Sequence, residues 1–247
     1  MNRAKIEVYP DAHAAARTGA ESFVARAREA VEARGRFTVA LSGGTGPREM
    51  YTLLGTDDFS ARIPWEGVHL FWGDDRCVPP HHPRSNHAMA WEAFIRRVPI
   101  PPGNVHRILG ELPAAEGAAR YADELARVFG PGIPRFDLVH LGVGPDAHTC
   151  SLFPFAPLLR ERERTVAPAL NRELGEPRVT FTFPVVNAAA RLEMLALGAG
   201  KAEVVWKVLR GPLDVFRLPA QNLRPTAGEL VWMIDRAAAA RLDEGGS

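Results

Sequence analysis

The chain has 247 residues, of which 46% are hydrophobic and 24% charged, and 30 Lys and Arg face 29 Asp and Glu for a formal net charge of +1. These values suit a globular protein able to bury a sizeable core, and they argue against disorder. The near balance of charge gives no electrostatic basis for binding nucleic acid or an acidic membrane, so an anionic metabolite would have to be held by local positive charge. Two cysteines, Cys77 and Cys150, form neither a disulfide framework nor a zinc ribbon. The first residues lack the apolar run of a signal peptide, and no stretch approaches the ~18 apolar residues of a spanning helix. The expected location is the cytoplasm.

The predicted elements alternate. Asp11 caps a helix whose apolar positions include Ala16, Ala20, Phe23, Val24, Ala27 and Val31. Phe37 to Leu41 reads as a buried strand that stops at Ser42-Gly43-Gly44, and Pro47 to Leu54 as the helix after it. Val68 to Trp72 is a strand, Ser85 to Arg96 a helix and Val105 to Ile108 a short strand. Ala114 to Phe129 is a helix, and Phe136 to Leu141 a strand that runs into glycines. Val179 to Phe183 alternates as a strand with one covered face does. Leu192 to Leu197 is a strand, Lys201 to Leu209 a helix, Leu230 to Ile234 a strand and Arg236 to Leu242 a last helix. Strands alternating with helices predict one α/β domain over residues 1–247, a mostly parallel sheet covered on both faces. In such sheets ligands bind at the carboxyl ends of the strands.

Four strand-end segments carry candidate chemistry. Ser42, Gly43, Gly44 and Thr45 lead into a helix start, where backbone N–H groups, hydroxyls and the helix dipole can meet a phosphate. The same residues read equally well as a tight turn, and they match neither a P-loop nor a dinucleotide fingerprint. In Trp72-Gly73-Asp74-Asp75-Arg76, Arg76 can clamp a phosphate with its planar fork, and Asp74 can bind sugar hydroxyls or orient Arg76. A solvated turn with an internal ion pair is the plainer alternative. His81, His82 and His87 lie among three prolines without metal-ligand spacing and read as surface loop, so no metal site is expected. The third segment, Gly142 to Thr149, delivers Asp146 and His148 just past an apolar strand, and histidine has the pKa for proton transfer near neutrality. Cys150 reads as structural rather than nucleophilic. Lys201 starts a helix, where a cation opposes the dipole and a bound anion would explain it.

Taken together and in this order, Leu41 to Gly44, Trp72 to Pro79, Ser85-Asn86, Phe136 to Pro154, Val179 to Asn187 and Gly198 to Ala202 resemble the 6-phosphogluconolactonase family. That resemblance implies a Rossmann-like three-layer fold of the glucosamine-6-phosphate isomerase type, with no nicotinamide cofactor and no metal. It implies hydrolysis of 6-phospho-D-glucono-1,5-lactone to 6-phospho-D-gluconate in the pentose phosphate pathway. His148 would be the catalytic acid/base, assisted by Asp146, and the glycine loop, Arg76 and Lys201 would surround the phosphate. The expected partner is the small sugar-phosphate lactone, bound by a monomer or small homo-oligomer. The alternative is the related glucosamine-6-phosphate deaminase/isomerase, but Phe153 stands where that family has a glutamate. Three positions depart from the lactonase pattern: Ala147 for Gly, Asp75 for Glu and Gly46 for Thr. If position 147 needs a positive φ, Ala costs roughly 1 kcal/mol or more.

Overall fold

A computed structural model describes residues 4–242. The chain enters through β1 (Lys5–Tyr9) and α1 (Ala12–Arg34). Asp11 caps α1 by accepting from the Ala14 N–H at 2.8 Å, and Gly35 ends it in a left-handed conformation, φ 72°, with its N–H on the Val31 carbonyl. Then follow β2 (Phe37–Leu41), α2 (Thr45–Leu54), the short α3 (Asp57–Ser60), β3 (Val68–Trp72), β4 (Asp74–Arg76) and α4 (Asn86–Ala93). The second half contains α5 (Ala114–Phe129), β5 (Leu138–Gly142), β6 (Val166–Asn171), β7 (Glu176–Phe181) and α6 (Phe183–Ala188). It ends with β8 (Arg191–Ala196), α7 (Ala202–Leu209), β9 (Glu229–Asp235) and α8 (Arg236–Ala239).

Six strands form a wholly parallel sheet in the order β1-β9-β8-β5-β2-β3. All five residues of β2 are buried, as a strand covered on both faces requires. From β2 the chain winds outward to β3, then returns to place β5 on the other side of β2. The sheet therefore reverses direction between β2 and β5, and the crevice at such a reversal is where α/β folds bind ligands. Ser42, Gly43 and Gly142 meet there: a Cβ on Gly142 would lie 3.7 Å from Ser42 Oγ.

The second sheet, β4-β7-β6, is antiparallel. It arises because the chain bends at Gly73, whose N–H still bonds Leu41 of β2 while its carbonyl accepts from the Phe181 N–H of β7. Strand β3 thus continues into β4 but changes sheets. This sheet was not predicted, because Asp74-Asp75-Arg76 has no apolar pattern and β6 contains Pro168.

Other expectations need correction. Val105 to Ile108 is no strand, only a bridge from Val105 to Leu70. The helix predicted over Ser85 to Arg96 begins at Asn86, with Ser85 as its cap, and ends at Ala93. The last helix stops at Ala239 rather than Leu242. Strand β7 begins at Glu176 and ends at Phe181, and residues 178–181 are buried on both faces, not one. The reason is that β7 lies between β4 and β6 and is also covered by α5. His87 does not sit in a surface loop: it is buried in the first turn of α4, with its ring against Trp72 and Trp91.

Candidate active site

At the reversal of the parallel sheet lies a polar cavity of about 190 Å³. Eight residues nominated from sequence line it: Ser42, Gly43, Gly44, Thr45, Asp74, Arg76, His148 and Lys201. Asp146 stands behind His148 rather than on the cavity wall, facing a broader apolar hollow that also contains Phe153 and Trp206.

The glycine loop is built for close approach. Gly44 caps α2 with φ 102°, and the N–H groups of Gly43 and Gly44 carry no hydrogen bond among the described residues. The first N–H groups of α2, on Thr45 and Gly46, lack helical acceptors by geometry. This end of the cavity therefore presents donors and positive partial charge. Gly43 also makes room for another residue, since a Cβ there would lie 2.1 Å from Asn86 Oδ1.

Asp74 and Asp75 divide two tasks. Asp75, buried at the start of α4, accepts from the backbone N–H groups of Asn86 at 2.7 Å and His87 at 3.1 Å and from the Ser85 hydroxyl at 2.9 Å. Its carboxylate thus caps the N-terminus of α4. Burial pushes its carboxyl up despite these donors. The short Asp side chain at this position serves the helix end and leaves the cavity to others. Asp74 accepts from Ser151 Oγ at 2.6 Å and Asn86 Nδ2 at 3.3 Å, and lies 3.8 Å from Arg178 Nη1. Asn86 in turn accepts from Arg76 Nη1. Asp74 therefore acts on the cations through internal partners.

Sequence reasoning missed three contributors: Asn86, Arg178 and Glu176. Arg178 and Asn86 line the cavity. Arg178 stands opposite Arg76 in the β4–β7 ladder, and buried Glu176 forms an ion pair with Arg178 Nη2 at 2.5 Å and accepts from Arg84. A strand begun three residues earlier would have put Glu176, Arg178 and Thr180 on one face by the period of two.

Lys201 completes the cations. It caps α7 and points back to donate to the Val143 carbonyl at 2.7 Å. Burial holds its ammonium below the usual range, opposed by the charge of Asp146.

His148 is fixed by its own loop. Nδ1 lies 2.5 Å from Asp146 Oδ1, which also accepts the His148 backbone N–H at 3.2 Å. Burial acts to raise the Asp146 carboxyl, but the hydrogen bonds and charge of His148 outweigh it and hold it below the usual range. Asp146 is thus the acceptor for Nδ1–H, and Nε2 has no hydrogen-bond partner among the described residues. The His148 ring packs on Phe153 with centroids 4.8 Å apart, so no carboxylate occupies that side. Gly144 N–H bonds the His148 carbonyl at 2.9 Å and is not free to meet a developing oxyanion. Burial raises the Cys150 thiol well above its ordinary value, with Asp74 adding to it, so Cys150 carries no thiolate.

The loop is strained: Ala147, Cys150 and Phe155 have φ of 66°, 50° and 58°. Ala147 therefore pays the left-handed cost, roughly 1–2 kcal/mol. Its methyl is fully buried, which returns about 0.8 kcal/mol, and avoiding Gly saves about 0.5–1 kcal/mol of chain entropy. These terms nearly cancel, which explains how Ala is tolerated at a position of glycine geometry. Gly46 sits in ordinary contact with Leu197, where a Cβ would lie 3.4 Å away, so a side chain there is not required by packing.

Comparison with known proteins agrees with this geometry. Residues 10–232 match the family model described as glucosamine-6-phosphate isomerases/6-phosphogluconolactonase. The chain is 38% identical over 242 residues to a 6-phosphogluconolactonase of Nostoc sp., covering 96% of this chain and 98% of that protein. It is 42% identical over 213 residues to the 6-phosphogluconolactonase of Homo sapiens, covering 84% of this chain and 81% of that protein. Its fold superposes on the structure of 6-phosphogluconolactonase from Trypanosoma cruzi with a TM-score of 0.86, at 25% identity and 98% coverage of both chains. The chain belongs to the glucosamine-6-phosphate isomerase/6-phosphogluconolactonase family.

Proposed function

We propose that this chain hydrolyses 6-phospho-D-glucono-1,5-lactone to 6-phospho-D-gluconate, with His148 as general acid/base. One observation carries the reading. His148, with Nε2 unengaged and Nδ1 held by Asp146, lines the same cavity as Arg76, Arg178 and Lys201. A cation-lined pocket selects a phosphate, and a positioned imidazole serves water attack on an ester.

The phosphate lies against Arg76, Arg178, Lys201 and the N–H groups of the glycine loop. Its binding energy positions C1 near His148. Nε2 takes a proton from water as the water oxygen attacks C1. Negative charge builds on the carbonyl oxygen. When the tetrahedral intermediate collapses, the C1–ring oxygen bond breaks and the imidazolium returns the proton to the leaving oxygen. Asp146 stabilises the transient imidazolium and fixes its tautomer. This proton transfer contributes typically ~10²–10⁴-fold. A deaminase mechanism lacks its extra proton carrier, because Phe153 covers that side of His148.

The test follows loss of fresh lactone against its spontaneous hydrolysis, run beside ammonia release from glucosamine 6-phosphate. The expected result is acceleration of the first reaction only. His148→Ala should cut turnover by about 10²-fold or more while keeping 6-phosphogluconate binding. Full turnover in that variant removes His148 from the mechanism.

A further inference from the structure

Beside the cavity, and sharing Arg76, Arg178 and Asn86 with it, lies a second hollow of about 300 Å³. Arg48 and Arg84 join Arg76 and Arg178 on its wall, and Glu176 is its one carboxylate. Four guanidiniums thus face one acid. Glu176 is itself already engaged by Arg84 and Arg178.

Arg76, Arg84 and Arg178 have carboxylate partners, but Arg48 has no account in stability. Arg48 occupies the first turn of α2, where a cation opposes the helix dipole. Its guanidinium has no hydrogen bond or ion pair among the described residues. Arg84 is more than half exposed, yet the buried carboxylate of Glu176 holds it at the hollow. A concave surface with unbalanced positive charge attracts an anion and speeds its capture. The proposed sugar-phosphate substrate carries a single phosphate, and Arg76, Arg178 and Lys201 suffice for that group.

We propose that this hollow is an outer anion subsite. It takes the second phosphoryl group of a diphosphate whose first group occupies the phosphate site, so the inference rests on the function proposed above. Arg76 and Arg178, common to both hollows, bridge the two phosphoryl groups, while Arg48 and Arg84 hold the outer one. The ligand class is a condensed diphosphate, either the inorganic anion or the tail of a nucleoside diphosphate. Such a ligand excludes the sugar phosphate and acts as a competitive inhibitor.

The experiment is titration calorimetry with orthophosphate, inorganic pyrophosphate and ADP at about 0.15 M ionic strength, where long-range charge effects are screened. Pyrophosphate should bind about tenfold or more tightly than orthophosphate, since it gains the outer charge-assisted bonds. Arg48→Gln should weaken pyrophosphate about fivefold or more and orthophosphate less than about twofold, as loss of one such bond requires. Arg84→Gln should behave likewise, but it also releases Glu176. Arg48→Gln, with no partner to lose, therefore decides the matter. ADP binding with the same Arg48 sensitivity supports the subsite and names the nucleotide as its source. Pyrophosphate binding without ADP binding supports it with the inorganic anion as source. Equal weakening of orthophosphate and pyrophosphate by Arg48→Gln overturns the subsite and leaves the phosphate site standing. Failure of orthophosphate to bind the unaltered protein overturns the phosphate site itself.

Discussion

Arg76 and Arg178 are direct partners across the antiparallel ladder of β4 and β7. Like charges so placed repel and weaken a sheet. Two carboxylates offset this. Glu176, two residues before Arg178, lies 2.5 Å from Arg178 Nη2 and 3.9 Å from Arg76 Nε. Asp74, two residues before Arg76, lies 3.8 Å from Arg178 Nη1. The two arginines differ in burial, 28% of the Arg76 side chain being exposed against 7% of Arg178.

That difference predicts unlike consequences of removing each. Arg178→Met leaves buried Asp74 without its cation and Glu176 with only Arg84 and the more distant Arg76, and should cost about 3–5 kcal/mol of stability. Arg76→Ala should leave Tm nearly unchanged and raise KM for the lactone about tenfold or more, as loss of a charge-assisted phosphate contact does. Steady-state kinetics and thermal unfolding of both variants make the comparison. Equal losses of Tm would show that Arg178 is not the structural member of the pair.

Two glycines should separate binding from chemistry. A Cβ at Gly144 would fall 2.2 Å from His148 Nδ1, whereas one at Gly43 would fall 2.1 Å from Asn86 Oδ1, the acceptor for Arg76. Gly144→Ala should therefore displace the imidazole and lower kcat by about 10²-fold, since proton transfer demands tight placement. Gly43→Ala should displace Asn86 and Arg76 and act chiefly on KM. The same KM-to-kcat split in both variants would contradict this assignment.

A buried chain of polar groups ties the glycine loop to strands β5 and β8 and to helix α1. The Ser42 N–H donates to Tyr51 Oη at 3.0 Å, Tyr51 Oη lies 3.2 Å from His140 Nδ1, and His140 Nε2 lies 3.7 Å from Glu193 Oε2. Glu193 also accepts from Ser22 Oγ at 2.6 Å and Arg191 Nε at 2.5 Å. Burial acts to raise the Glu193 carboxyl. The nearby His140 imidazole, the charge of Arg191 and the Ser22 hydroxyl outweigh that and bring it to about 2. Because the folded value is lowered, the stabilisation is present above the ordinary carboxylate value. It is lost as pH falls from about 4.5 toward 2. Denaturant unfolding measured across that window should show a steeper fall in stability for the unaltered protein than for Glu193→Gln. Parallel curves would remove Glu193 as a source of acid sensitivity.

The sequence by itself determined the parallel half of the fold and most of the cavity. Buried runs such as Phe37 to Leu41 and Phe136 to Leu141, each stopping at glycines, are local patterns that require no knowledge of distant partners. The Asp146–His148 pair was legible for the same reason, both residues lying on one short loop. The strain at Ala147 was anticipated as a condition, and only the backbone decided it, at φ 66°. The antiparallel sheet was decided by tertiary structure alone. Strand β4 has no apolar alternation to announce it, and it exists because Gly73 lets the chain leave one sheet and meet β7, about a hundred residues later in the chain. With that pairing came Arg178 beside Arg76 and Glu176 beneath both. Opposition across a ladder is set by register between distant segments, which no local periodicity records.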